Sequence, residues 1–64
     1  MGHRDKKLIE IYVEVKRQSE MAILASDGVS EFWLPKSQIT MTHKNDDDYE
    51  IEMPEWLAIE KGVV

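Results

Sequence analysis

The chain has 64 residues, no cysteine and a net charge of −5. That length allows one domain, burying only about 60% of its unfolded surface, and the lack of cysteine excludes disulfide staples and thiolate zinc sites and points to a reducing, cytoplasmic setting. No apolar run approaches the roughly 20 residues of a membrane span, and the start from Met1 to Lys7 is charged, without the apolar core of a signal peptide.

Residues 1–7 read as a flexible charged N-terminus and residues 8–64 as one small β-rich domain. In Leu8–Val15, Ile9, Ile11, Val13 and Val15 alternate with Glu10, Tyr12 and Glu14. Period-2 alternation with β-branched residues predicts a half-buried strand with Tyr12 on its wet side. The polar stretch Lys16–Glu20 predicts a turn, and the short apolar run Met21–Ala25 a return strand. Ser26, Asp27 and Gly28 supply the next turn. Glu31–Leu34 predicts a third strand, ended by Pro35, which has no N–H to donate. In that strand Phe32 and Trp33 must point to opposite faces.

Pro35–Gln38 then reads as a turn or a single helical turn, and Ile39–Thr42 as a strand. Lys44–Asp48 is an acidic turn. Tyr49–Met53 alternates again, with Tyr49, Ile51 and Met53 on one side. Pro54–Gly62 is punctuated as a helix. Proline suits the first helical position, Glu55 the positive end, Lys61 the last turn and Gly62 the residue beyond it. So short a helix cannot stand alone in water, so Trp56 with Leu57 or Ile59 is expected to pack on the sheet. The expected fold is mostly β, a small antiparallel barrel or curved sheet of SH3-like or OB-like size with a short C-terminal helix.

Three blocks of the sequence have a recognisable pattern: Ala22–Gly28, Phe32-Trp33-Leu34-Pro35-Lys36-Ser37-Gln38-Ile39, and Met53-Pro54-Glu55-Trp56-Leu57-Ala58 followed by Glu60-Lys61-Gly62. Together they resemble short uncharacterised proteins encoded by bacteriophages and prophages. Those proteins carry a similar W-[IL]-P-K-S-Q-I block and a P-E-W-L-A-x-x-K-G tail. The resemblance covers residues 21–62 and omits the first strand. It implies a phage accessory role in a bacterial host cytoplasm and supplies no catalytic residues.

Catalytic chemistry has little to build on. There is no Gly-x-Ser-x-Gly elbow, His43 lies beside aspartates only in a charged turn, and 64 residues rarely enclose a water-excluding cleft. The expectation is a protein that is not an enzyme and needs no cofactor. No metal site is expected either. Asp46, Asp47 and Asp48 lack the EF-hand spacing, and three consecutive aspartates in a strand cannot all face one ion.

Binding remains, and the charge is unevenly spread. Residues 1–44 carry seven Lys/Arg and six Asp/Glu, a balance of +1; residues 45–64 carry one lysine and seven acids, a balance of −6. If Tyr49, Ile51 and Met53 face the core, Glu50 and Glu52 face outward beside Asp46, Asp47 and Asp48. Such a face can occupy a cationic site on a nucleic-acid-handling protein, or it can serve only solubility. The alternative is a single-strand nucleic-acid binder, with Lys6, Lys7, Lys16, Arg17 and Lys36 around Trp33 as a stacking platform. The net negative charge disfavours it, and Tyr12 between Glu10 and Glu14 is a poor base platform. A third reading is a homo-oligomer built through an exposed strand edge. For both tryptophans the preferred reading is core filling, with interface anchoring as the alternative.

Overall fold

The computed structural model describes residues 7–63. Five strands form one antiparallel sheet: β1 (Leu8–Gln18), β2 (Ala22–Ser26), β3 (Glu31–Pro35), β4 (Thr40–Asn45) and β5 (Asp48–Pro54). A 3-10 turn, Lys36–Gln38, joins β3 to β4, and the helix α1 (Glu55–Lys61) follows β5. The spatial order is β3-β2-β1-β5-β4, so β3 and β4 are edges and the sheet does not close into a barrel. Of the two architectures expected, the curved sheet is the one found.

β1 is the spine, and it is longer than its alternation predicts. Lys16, Arg17 and Gln18 continue the strand instead of turning. The register with β2 slips between Val15 and Arg17, a bulge that lets the polar stretch stay paired while the strand bends. The turn is confined to the residues that follow, where Ser19 Oγ accepts the Met21 and Ala22 amides at 3.3 and 3.1 Å. One flank of β1 pairs β5 over Leu8–Glu14, and the other pairs β2 from Glu14 onward. The two outer hairpins are therefore offset along it.

The inner face of the sheet carries the core. Val13, Val15, Ile23, Ala25, Phe32, Leu34, Ile51 and Met53 are buried there, joined by Leu57 and Ala58 of the helix. Within the strands this is the pattern that alternation demands. Phe32 is buried and Trp33 faces out.

The helix departs from expectation in two ways. Pro54 ends β5 and caps α1 in an extended conformation, so it stands just before the first helical residue and not in it. The buried pair is Leu57 and Ala58, while Trp56 and Ile59 are 54% and 60% exposed. The amide of Glu55 donates to the Lys7 carbonyl at 3.0 Å, which fixes the entry angle of the helix against the start of β1 and sets Trp56 outward. With Trp33 46% exposed as well, neither tryptophan is a core residue. The core is filled by aliphatic side chains, Phe32 and small alanines. Gly62 closes the helix in the left-handed region (φ 75°), and the Val63 amide reaches back to Ala58 at 2.9 Å.

Candidate functional site

The outer face of the sheet is uncovered by any element among the described residues, and its side chains fall into two regions. The first spans β1, β5 and β4. Across it run three rows: Glu14 opposite Asp48 opposite Asn45, Tyr12 opposite Glu50 opposite Thr42, and Glu10 opposite Glu52 opposite Thr40. Glu50 and Glu52 point outward as period 2 requires, because Ile51 and Met53 on the same strand are fully buried. Glu10 and Glu14 join them because β5 pairs with that half of β1. Tyr12 sits between them, 68% exposed.

Like charges facing each other across a sheet repel. The carboxyl of Glu10 is held above the usual glutamate range, first by the charge of Glu50, then by a hydrogen bond shared with it, with some desolvation and the charge of Glu52 adding to the rise. Lys44 is the local counterweight. Its Nζ lies 3.3 Å from Glu50 Oε1, and its charge pulls the Glu10 carboxyl back down.

The expected acidic set is thus partly gathered. Asp48, Glu50 and Glu52 share the outer face. Asp46 and Asp47 stand apart at the tip of the β4–β5 hairpin, which is tighter than the predicted Lys44–Asp48 turn: Asn45 and Asp48 still pair. Asp46 takes the left-handed region (φ 46°), tolerable for aspartate. His43 Nε2 lies 2.8 Å from the Asp46 carbonyl, and its ring packs 5.0 Å from that of Tyr49, so the tip is pinned from the inner side. The Asp47 carbonyl accepts the Val15 amide at 2.8 Å and ties the tip to the spine. Glu10 and Glu14 are the members that sequence reasoning left out. Their outward position was legible in the alternation, but nothing local to the sequence says that β1 lies beside β5.

The second region spans β1, β2 and β3. Arg17 stands opposite Leu24, and Leu24 opposite Trp33, in a single outward row. Of the residues read as a possible nucleic-acid groove, Arg17 and Trp33 share this row. Lys16 lies at the bulge beside it, with its Nζ 3.6 Å from Glu14. Lys36 follows Pro35 at the end of β3, its amide held by the Met21 carbonyl at 2.8 Å. Lys7 is elsewhere, 3.6 Å from Glu55 at the helix start. Lys6 lies outside the described residues. The cations do not form one continuous track.

Between the two hairpin ends lies an open depression of about 460 Å³, bordered by Tyr12, Glu14, Asp27, Lys44 and Asp48. Asp27 is committed to its turn: its Oδ1 accepts the Val29 and Ser30 amides at 2.9 and 2.8 Å, and these bonds lower its pKa. Among the described residues no group of three His, Cys, Asp or Glu side chains is placed to hold a metal ion. No described helix is long and apolar enough to cross a membrane. Comparison with protein-family models, curated proteins and solved structures gives no match to this chain.

Proposed function

We propose that this protein works by protein–protein binding, with the outer face of β1 and β5 as an acidic docking surface for a cationic site on another protein. The observation that carries the reading is the arrangement of Glu10, Glu50 and Glu52. Glu10 meets the charges of Glu50 and Glu52 across the strand pair, a repulsion at a cost to the fold, on a face that no element covers among the described residues. A cationic surface laid on that face would relieve the repulsion, and Tyr12, exposed at its centre, offers the amphipathic contact area that interfaces favour.

The kind of partner follows from the charge. A surface that binds nucleic acid is cationic and meets carboxylates in place of phosphates. Together with the resemblance of the Trp33–Ile39 and Met53–Gly62 blocks to small phage and prophage proteins, this favours an accessory role, binding or inhibiting a nucleic-acid-handling protein of host or phage in the bacterial cytoplasm. Catalysis and a resident cofactor form no part of this reading.

The test is to replace Glu10, Glu50 and Glu52 by glutamine, singly and together, and to measure affinity for a cationic nucleic-acid-binding domain at two salt concentrations. The triple variant should keep its fold and lose most of the affinity and its salt dependence. Undiminished affinity in a folded triple variant would remove the reading.

The Arg17–Leu24–Trp33 row gives a second reading a specific foothold. A single-stranded nucleic acid could stack on Trp33 with Arg17 against its backbone. The carboxylates of Glu14 and Glu31 near that row weigh against it.

A further inference from the structure

The acidic face ends at β4, and β4 is an open edge. Its six residues, Thr40–Asn45, contain no proline and no acid, and among the described residues they pair only with β5. Beyond the sheet ladders, no backbone hydrogen bond among the described residues reaches these six residues. The other edge is less receptive: β3 begins at Glu31 and ends at Pro35, which has no N–H for a further strand. On β4 the obstacles cluster at one end, where the register slips between His43 and Asn45 and where Lys44 stands. Thr40 to His43 is left as a regular run, paired with β5 on one flank and with no strand on the other among the described residues.

The side chains beside that run define what could add to it. Outward, Thr40 and Thr42 are short and exposed. Behind them, in the same rows, stand Glu52 with Glu10, and Glu50 with Tyr12. Adjacent strands lie about 4.8 Å apart, so a sixth strand would run about 10 Å from β5. An arginine or lysine on its outer side spans that gap over a threonine and meets a glutamate reaching the other way. A bulkier residue at 40 or 42 would block the path. Inward, Met41 and Ile39 are only partly buried at the margin of the core. Apolar residues at the alternate positions of the added strand would cover them.

Building on the proposed acidic docking surface, we infer that its cationic partner binds as an added β-strand on the Thr40–His43 edge, an extended segment whose Arg or Lys residues alternate with apolar ones. Backbone hydrogen bonds to the edge supply affinity, and the Glu50 and Glu52 rows select the cations. Lys44, already paired with Glu50, competes with the incoming cation for that row.

The experiment uses the whole chain and the capped peptide Ac-Thr-Arg-Val-Arg-Val-Arg-Thr-NH2, alongside the same peptide N-methylated at alternate residues. N-methylation keeps the charges and removes the edge hydrogen bonds. Amide hydrogen exchange is followed at Thr40–His43. With free peptide about tenfold above its Kd, the edge amides should exchange about tenfold more slowly, and the N-methylated peptide should give no such protection. Glu50→Gln and Glu52→Gln should each weaken binding by about two- to fivefold, and Lys44→Gln should strengthen it.

Charge-dependent binding that leaves the β4 amides unprotected would overturn the added-strand mode while leaving the acidic face as a docking surface. Absence of binding by either peptide would remove both readings. Protection of the same amides that appears without peptide and grows with protein concentration would show that a second copy takes the edge, and would overturn the inference in that way.

Discussion

Glu10 of β1 and Glu52 of β5 stand directly opposite each other on the uncovered face of the sheet, two register positions from the pair Tyr12 and Glu50. Backbone register holds them there. Each is flanked along its own strand by inward aliphatic residues, Ile9 and Ile11 on one side and Ile51 and Met53 on the other. A slip of one residue would relieve the repulsion only by turning that whole aliphatic set to water. Core packing therefore fixes the acidic face.

A pH dependence follows, with opposing signs at two sites. The folded state binds a proton on Glu10 more tightly than the unfolded chain does. Glu10 therefore contributes most to stability below the ordinary glutamate range, and that contribution is lost as pH rises through the raised value. Asp27 acts oppositely: its stabilising turn bonds are fully present above the ordinary aspartate range and are lost as pH falls through its lowered value. Thermal melts across about pH 3 to 7 should therefore peak on the acid side of neutrality. Glu10→Gln should flatten the decline towards pH 7, and Asp27→Asn should flatten the decline at the acid end.

Both tryptophans are exposed, Trp33 on the edge strand and Trp56 on the helix. In the folded protein, acrylamide should quench their fluorescence nearly as well as in urea, and Trp33→Ala should leave the fold intact. Phe32→Ala, one residue away on the buried side, should cost about 3–5 kcal/mol. Strong protection of the indoles from quenching would contradict the assigned faces.

Ile51 is fully buried on β5, between Ile11 on β1 and Met41 on β4. Ile51→Val should lower the urea midpoint by an amount worth about 1 kcal/mol. Ile51→Ala, at about 2–5 kcal/mol, should leave so small a domain largely unfolded.

Gly62 ends α1 with a positive φ, and a side chain there would meet open space. The penalty for Gly62→Ala is therefore conformational, about 1 kcal/mol, and should appear in chemical denaturation as loss of global stability, because the docked helix covers the core with Leu57 and Ala58.

Alternation made much of this architecture legible. Ile9 to Val15 and Tyr49 to Met53 declared their faces, and with them the outward positions of Glu50 and Glu52. Local polarity misled where pairing overrode it: Lys16 to Gln18 look like a turn, yet a bulge keeps them in β1. Lys44 and Asn45 likewise stay in β4, because a left-handed Asp46 makes a two-residue connection sufficient. For the tryptophans side-chain size suggests burial, whereas strand phase for Trp33 and helix entry for Trp56 decide it. The site itself was half legible. Its β5 members followed from period 2, but bringing Glu10 beside Glu52 requires β1 to lie at the centre of the sheet, a long-range pairing with no local signature.

The most direct test of the acidic face compares two ligands on the same isotope-labelled protein at low salt: an arginine-rich peptide and a single-stranded oligonucleotide of equal length. Chemical-shift changes with the peptide at Glu10, Tyr12, Glu50, Glu52 and Thr42, fading as salt rises, are the predicted result, with the oligonucleotide leaving these residues unmoved. Shifts with the oligonucleotide at Arg17, Leu24 and Trp33, and none with the peptide, would contradict it.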